Sequence, residues 1–328
     1  MKKASTLKEV ASVAKCHPST VSLALRNDPR IPEETRERIQ KIANDLGYSA
    51  NPLVSAWVSA RRAGRPVHQH VSAAYLTCED NEFDWPADEH LRSIFKGAQK
   101  QSENHGFRLT EFRFRNRKQE VARLNQILST RGVRGVIFGP TLHHQNITGL
   151  EWERYSLITI GYGLTSPSLH RVAQDHHAGI TGAFSEFLKK GYSRIGLAFT
   201  LQHNATRLER WVCVYQYEQI RYAKSRNRLP VFSAKSKDPM IEAKEWIQSA
   251  KPDAIITDNP SAWTETGIPT LGFTHSSSKP YSGVQHDNSH IGIRAMDLLA
   301  YMVLNNERGI PEARQTVLIE PSSVVSSP

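Results

Sequence analysis

Short polar side chains are concentrated near the N-terminal end of the chain, in the run His17-Pro18-Ser19-Thr20-Val21-Ser22-Leu23. Hydroxyl and imidazole groups can bind phosphate oxygens or the polar edges of bases. Their surroundings are basic, because residues 1–65 contain 12 Lys and Arg but only 6 Asp and Glu, in a chain of formal net charge +10. This local surplus favours a polyanion as the partner.

The other candidate side chains give little support to enzyme or metal chemistry. The 14 histidines include two adjacent pairs, His143-His144 and His176-His177, and neighbouring histidines point in different directions. The sequence has no Cys-x-x-Cys pair, no Gly-rich phosphate loop and no nucleophile elbow. We therefore expect no enzyme activity, no metal and no cofactor.

The cysteines and the lengths of the apolar runs indicate the cellular compartment of the protein. Cys16, Cys78 and Cys213 are odd in number and far apart, which favours reduced thiols. No apolar run approaches the roughly 20 residues that span a bilayer, and Met1–Thr6 contains no apolar signal segment. We expect a cytoplasmic protein with no membrane partner.

Three short amphipathic helices are predicted to position the polar run. Thr6 fits the N-cap of the first helix, and Pro18 suits the first position of the second, with His17 as its N-cap. Pro32 opens a third helix, which Gly47 ends. The short turn between the first two helices is typical of a DNA-binding helix-turn-helix, although other small helical bundles share this periodicity.

The residue types along these three helices, called the head from here on, decide between a helix-turn-helix and another small helical bundle. The head resembles that of the LacI–GalR repressor family, almost without gaps from Thr6 to Asn51. The resemblance rests on Thr6-Leu7-x-Glu9-Val10-Ala11, Ala14, Ser19-Thr20-Val21-Ser22, Thr35-Arg36-Glu37-Arg38-Ile39, Leu46-Gly47-Tyr48 and Asn51.

The resemblance implies that the second helix lies in the major groove of operator DNA. The positions that read base edges in the family correspond here to Pro18, Ser19 and Leu23, and Arg26 is a further candidate. The positions that bind phosphates correspond to Thr6, His17, Thr20, Ser22, Thr35, Tyr48 and Asn51. Leu23 stands where the family commonly has Arg, the bidentate partner of guanine, so we expect a different operator at that base.

A hinge helix follows the head in the resembling family. It forms when two copies meet on DNA, and it inserts an apolar side chain into the minor groove. Leu53, Val54 and Trp57 are the candidates for that wedge. Trp57 stands at the usual leucine position and is much bulkier, so packing of its indole on the body or on the sister hinge is the alternative.

From residue 70 onward, predicted strands and helices alternate. The strands are predicted at 71–77, 108–114, 133–138, 157–160, 194–199, 230–232, 254–257, 270–273 and 316–319. The helices are predicted at 90–105, 119–131, 180–190, 207–226, 239–249 and 291–305. This alternation predicts parallel sheets covered by helices. The body also resembles that of the same family, through segments such as Phe187-Leu188-x-x-Gly191-Tyr192-x-Arg194-Ile195-Gly196.

We therefore expect a multi-domain fold: a small all-α helix-turn-helix head, then an α/β periplasmic-binding-protein-like body of two Rossmann-like lobes. The head covers residues 1–49, the hinge helix and linker 50–66, and the effector-binding and dimerisation body 67–328. The N-lobe is expected at about 70–164 plus 285–308, and the C-lobe at about 165–284 plus 309–328.

In such a body the ligand lies between the lobes, at the carboxyl ends of the strands. The effector-binding candidates carried over from the resemblance are Trp85, Arg210, Asp258, Asn259, Thr274 and His275. Trp211 and Trp263 are further candidates for stacking on a sugar face. Thr274 and His275 stand where many sugar-binding members have Asp, which argues against an ordinary hexose.

The resulting hypothesis is a sequence-specific DNA-binding transcriptional regulator, expected to be a repressor. It would bind a palindromic double-stranded operator as a homodimer, with an affinity controlled by a small-molecule effector, a carbohydrate or a derivative of one. The alternative is a periplasmic-type small-molecule binding protein without a DNA role, against which the basic head argues.

Overall fold

The structure, a computed structural model, describes residues 7–25, 28, 30–46, 48, 71–78, 88–141, 145–200, 205–222, 224, 227–235, 238–273 and 282–325, without the side chains of 205–208 and 325. Several predicted site residues and the predicted hinge helix lie outside these ranges. The residues concerned are Thr6, Arg26, Asn51, Leu53, Val54, Trp57, Trp85, Thr274 and His275.

The head consists of three helices around one small core. They are α1 (Leu7–Ala14), α2 (Pro18–Ala24) and α3 (Glu33–Asp45). The buried residues are Val10, Ala11, Ala14, Val21, Ala24, Ile39 and Ala43. Because most of them are alanines, the helices can approach one another closely. The short helix α2 packs on the other two through one apolar face.

The body alternates strands with helices. The strands are β1 (Val71–Cys78), β2 (Phe107–Phe114), β3 (Gly135–Phe138), β4 (Gln145–Asn146), β5 (Ser156–Ile160), β6 (Leu164–Ser166), β7 (His170–Gln174), β8 (Ile195–Phe199), β9 (Phe232–Ser233), β10 (Ala254–Thr257), β11 (Thr270–Gly272), β12 (Gly283–Gln285), β13 (Thr316–Ile319) and β14 (Ser323–Val325). The helices are α4 (Glu89–Asn104), α5 (Lys118–Thr130), α6 (His176–Lys189), α7 (Ala205–Tyr222), α8 (Pro239–Ala250) and α9 (Asn288–Leu304). Single 3₁₀ segments cover Trp152–Arg154 and Pro260–Thr266.

Two six-stranded sheets form the two lobes. The first has the order β13-β7-β5-β3-β1-β2 and is parallel throughout. Helices α4 and α9 pack on one of its faces and α5 on the other. The second sheet has the order β14-β12-β11-β10-β8-β9, with β14 as an antiparallel edge. Both faces of these sheets are covered, which explains why the central strands are apolar without alternation.

The predicted fold class is confirmed, and most of the predicted body elements occur within a few residues of their expected positions. Two helices begin earlier than the apolar periodicity indicates, because an aspartate caps each of them. The Asp175 carboxylate accepts the Ala178 N–H at 3.0 Å, and the Asp287 carboxylate accepts the His290 N–H at 3.0 Å.

The predicted division between the lobes is wrong for two strands. The predicted C-lobe includes residues 170–174, but these form β7, which pairs with β5 and therefore belongs to the first sheet. β13 was also placed in the C-lobe, but it pairs with β7 at the edge of that same sheet. The chain thus passes between lobes three times: after β7, between β12 and α9, and between β13 and β14. Within the described ranges, none of the helices is both long and apolar enough to cross a membrane.

Candidate nucleic-acid interface and ligand cleft

Helix α2 presents one polar face to solvent and buries the other. Val21 and Ala24 are fully buried against α1 and α3. Ser19 and His17 are exposed, and Pro18, Thr20, Ser22 and Leu23 are partly exposed. The residues predicted to read bases therefore lie at the accessible N-terminal end of this helix, apart from Arg26, which is outside the described part of the chain.

Side chains of α3 fix the ends of the two preceding helices. The Arg38 guanidinium donates to the Ala14 carbonyl oxygen at 3.2 Å, and the Gln40 amide donates to the Ala24 carbonyl oxygen at 3.1 Å. These bonds satisfy carbonyl groups that a helix end leaves without a partner. The turn between α1 and α2 depends on Lys15, whose φ of 50° lies in the left-handed region.

The predicted N-cap of α2 is present, and it has a consequence for Ser19. The Nδ1 atom of His17 accepts the Ser19 N–H at 3.3 Å and lies 2.8 Å from Ser19 Oγ. Since Nδ1 is the acceptor for the backbone N–H, the Ser19 hydroxyl also donates its proton to His17. The Ser19 oxygen then keeps its lone pairs for an outside donor, such as the amino group of adenine or cytosine.

Two more predicted phosphate ligands lie on or next to α3. Thr35 is partly exposed in its first turn. Tyr48 follows its last turn; its N–H donates to the Ala43 carbonyl oxygen at 2.7 Å, and burial raises the pKa of its phenol. Both side chains are partly exposed, and Tyr48 packs against the core that the three helices share.

In the body, the carboxyl ends of the strands bring together charged and aromatic side chains that the sequence did not connect. Tyr162, just beyond β5, lies beside two guanidinium groups. The Cζ atom of Arg210, from α7, is 3.8 Å from the Tyr162 ring centroid, and the Cζ atom of Arg171, from β7, is 4.9 Å from it. Arg210 is exposed, Tyr162 is partly buried, and only 5% of Arg171 is exposed.

Neither Arg171 nor Tyr162 was among the predicted ligand residues. One signal was available in the sequence: an arginine directly before the apolar pair Val172-Ala173 of β7. Its proximity to Tyr162 and Arg210 depends on tertiary structure, since these residues come from a strand, a connection and a helix of different lobes.

The two tryptophans proposed as stacking residues pack inside the second lobe instead. Trp211 stacks on Phe273 at a centroid distance of 4.2 Å and on Phe199 at 5.6 Å. Trp263 is 1% exposed, and its indole N–H donates to Thr257 Oγ1 at 3.0 Å. Both side chains stabilise the lobe, and neither presents a free ring face to a sugar.

Asp258 and Asn259 follow β10 and lie at the expected end of the sheet. The Asp258 carboxylate accepts the Thr200 N–H at 2.9 Å, which ties the end of β8 to the end of β10. The Asn259 side-chain oxygen accepts the Ser261 hydroxyl at 2.7 Å, next to the 3₁₀ segment. These bonds give both residues a structural role in shaping the edge of the cleft.

A second polar cluster lies where the chain crosses between lobes. Gln174 donates its amide to Asn288 Oδ1 at 3.0 Å, and the Asn288 amide lies 2.9 Å from His90 Nδ1. His286 follows β12 in the same region. Burial lowers the pKa of His286 to about 4, with His90 lowering it further and Asp175 opposing the shift.

The described residues offer no metal centre. His286 and His290 have the His-x-x-x-His spacing that a zinc site on a helix uses, but His286 precedes α9. Across the described ranges, no group of three or more His, Cys, Asp or Glu side chains is placed to hold a metal ion.

Comparison with known proteins finds one match to the head alone and others to longer parts of the chain. The family described as "Bacterial regulatory proteins, lacI family" matches residues 6–51. The transcriptional regulator MalR of Streptococcus pneumoniae is 26% identical over 192 residues, which are 58% of this chain and 55% of MalR. The chain thus spans about half the length of that relative. The repressor CytR of Escherichia coli is 31% identical over 104 residues, which are 32% of this chain and 26% of CytR.

The solved structure of the transcriptional regulator CelR in complex with cellobiose has the same overall fold. The superposition of the two structures covers 98% of each chain, with a TM-score of 0.59 and 18% sequence identity. The described helices α1–α3 lie within the residues that match the lacI family, 6–51. The helix-turn-helix head of this chain thus matches the lacI family of bacterial regulatory proteins, and the two-lobed body has the fold of a solved transcriptional regulator.

Proposed function

We propose that this protein is a sequence-specific DNA-binding transcriptional regulator, acting as a repressor, whose operator affinity depends on a small molecule in the cleft of the body. The observation that carries the proposal is the exposed N-terminal half of α2 on a head that matches the lacI family. The relatives MalR and CytR are named as a transcriptional regulator and a transcriptional repressor, which supports the same role. We propose no enzyme activity.

A dimer of this chain would place two α2 helices in successive major grooves of a palindromic operator. Helix α7 exposes three large, mainly apolar side chains that favour self-association of the chain: Tyr217, Ile220 and Tyr222. Association with DNA implies a cytoplasmic location. Effector binding would change the relative orientation of the lobes and thereby operator affinity, typically by about 5- to 150-fold.

The class of effector is supported by the CelR structure, which holds cellobiose. We propose a carbohydrate or a carbohydrate derivative in the cleft beside Tyr162 and Arg210. The predicted residues Trp85, Thr274 and His275 stay proposed ligands, and Leu53, Val54 and Trp57 stay proposed minor-groove contacts.

The test is selection of operator sequences by the full chain from a pool of random duplexes, followed by gel shifts. Ser19→Ala and Pro18→Ala are expected to change the preferred base, since these side chains lie at the exposed end of α2. Thr20→Ala is expected to weaken all duplexes alike, because a phosphate contact carries no sequence information.

Val13→Ala is the matched control, since Val13 is exposed on α1 and 55% of its surface is accessible. Its operator preference should equal that of the wild type. If the pool yields no enriched sequence, the chain is not a sequence-specific regulator and the binding-protein alternative gains support. If Ser19→Ala and Thr20→Ala both leave binding unchanged, α2 is not the recognition helix.

A further inference from the structure

Two buried polar atoms on neighbouring strands of the first sheet have no hydrogen-bond partner within the described part of the chain. They are Thr159 Oγ1 on β5 and Arg171 Nε on β7. Thr159 is fully buried, and Arg171 is 5% exposed. Since buried polar groups are nearly always satisfied, two orphans on adjacent strands indicate a missing ligand.

The two residues are placed to act together. Thr159 and Arg171 are register partners of the parallel β5–β7 pair, so their side chains lie on the same face of the sheet. One Arg171 amino group already donates to the Leu164 carbonyl oxygen at 2.9 Å, which fixes the plane of the guanidinium. The Nε side of the fork remains for another acceptor.

The charge around this fork is positive. Burial, together with the charges of Arg314 and Arg210, lowers the pKa of Arg171 to about 10, and Tyr162 opposes the shift. No carboxylate contributes to this shift. A buried cation without a counter-charge is costly, and an anionic group at this position would remove the cost.

Arg210 extends this positive site towards solvent. Both guanidinium carbons lie within 5 Å of the Tyr162 ring, at 3.8 Å for Arg210 and 4.9 Å for Arg171. Arg210 is exposed and Arg171 buried, so a ligand entering the cleft would meet the first cation and then the second. We propose that the effector is anionic, and that its phosphate or carboxylate group binds to Arg171 and Arg210 beside Tyr162.

This inference rests on the proposed function, because it names the class of molecule that the cleft senses. Phosphate and carboxylate share the chemistry that a guanidinium fork recognises, so the experiment must separate the two. Matched sugars do so: glucose, glucose 6-phosphate and glucuronate share the pyranose ring and differ in the group at C6, and inorganic phosphate tests the phosphate group without a sugar.

The measurement is the melting temperature of the full chain with each compound, at constant ionic strength set with chloride. We expect at least one anionic compound to raise it and neutral glucose to leave it unchanged. Arg210→Gln should lower the affinity for that anion by about tenfold or more, as expected for the loss of a charged hydrogen bond. Because Arg210 is exposed, this variant should fold normally.

Arg131→Gln is the matched control. Arg131 also lies over an aromatic ring, that of Phe112 at 5.1 Å, but Phe112 is on β2, at the other edge of the sheet from β7 and β13. Anion affinity should be unchanged in this variant. Arg171→Gln tests the buried partner, and circular dichroism first establishes that it folds; if it does not, the Arg210→Gln result decides.

Equal binding of glucose and of its anionic forms, no response to any anion at millimolar concentration, or equal loss in Arg131→Gln and Arg210→Gln would overturn the proposal. Gel shifts with the selected operator separate this failure from that of the proposed function. If the chain binds an operator but no anion, only the proposed class of ligand is wrong. If it binds no operator, the proposed regulator function is wrong.

Discussion

Single residues of α2 decide what this protein would recognise, and the most informative of them is Leu23. It is partly exposed on the same helix as Ser19, whose oxygen is left as an acceptor by the bond to His17. An acceptor and an apolar side chain suit an amino group and a thymine methyl, whereas guanine is normally read by an arginine fork. We therefore expect the head to prefer an operator that differs from those read through arginine at this position.

Leu23→Arg is expected to shift the preferred base at one operator position to guanine. A bidentate arginine discriminates between bases by about 1–3 kcal/mol, which corresponds to at least a fivefold preference. Competition gel shifts with duplexes that differ at that position measure the change. Leu23→Ala is the control: it should lose discrimination without gaining guanine, and a guanine preference in both variants would contradict the assignment.

Among the elements, α4 and α9 cross in close contact on one face of the first sheet. A Cβ atom built on Gly97 would lie 2.0 Å from the Ser289 carbonyl oxygen, and one on Gly292 would lie 1.9 Å from the Ile94 carbonyl oxygen. Next to the crossing, Asp297 binds His105 Nε2 at 2.7 Å and the Arg294 guanidinium at 3.1 Å. Two glycines and one charged network therefore fix how these helices meet.

Gly97→Ala and Gly292→Ala are each expected to lower the free energy of unfolding by about 1–3 kcal/mol, because the backbone on the other helix must shift. Denaturant unfolding of the full chain measures the effect. Gly179→Ala in α6 is the control, since its Cβ would meet the nearest atom at an ordinary 3.6 Å. That variant should gain stability from helix propensity, and a similar loss in all three would show that the crossing is not the cause.

The sequence predicted elements better than it predicted the ligand cleft, for reasons that particular residues illustrate. Local periodicity located α2 and β10, and the types of His17 and Pro18 predicted the start of α2. β7 was missed because five residues interrupted by polar side chains show no clear period, and its lobe was wrong because pairing is not local. Tyr162, Arg171 and Arg210 meet only after both lobes have formed.

At the scale of the whole molecule, one crossing between the lobes contains a partly buried imidazole whose Nδ1 atom is inaccessible to solvent. This imidazole is that of His286, near His90 and Asp175. Its pKa is lowered to about 4 by burial, so the folded protein keeps it neutral while the unfolded chain protonates it below pH 6.5. The unfolded state therefore binds more protons between pH 6.5 and pH 4, and stability must fall as the pH falls through that window.

His286→Gln is expected to reduce this acid sensitivity, by about 1–2 kcal/mol between pH 7 and pH 5. Denaturant titrations at the two pH values measure the difference in free energy of unfolding. His177→Gln is the control, because His177 is exposed at the start of α6. An unchanged pH dependence in His286→Gln would show that this imidazole is accessible to protons in the folded state.

The order in which strands join the sheets has a consequence for synthesis on the ribosome. The first sheet lacks its edge strand β13 until residue 319 has emerged, and the second lacks β14 until residue 325 has emerged. Neither lobe can therefore be completed early, and both are completed within the same short stretch of translation. Among the described residues, the core of the head is built from 7–48 alone, so a nascent chain could carry the folded head, the proposed DNA reader, before it had a finished sensor.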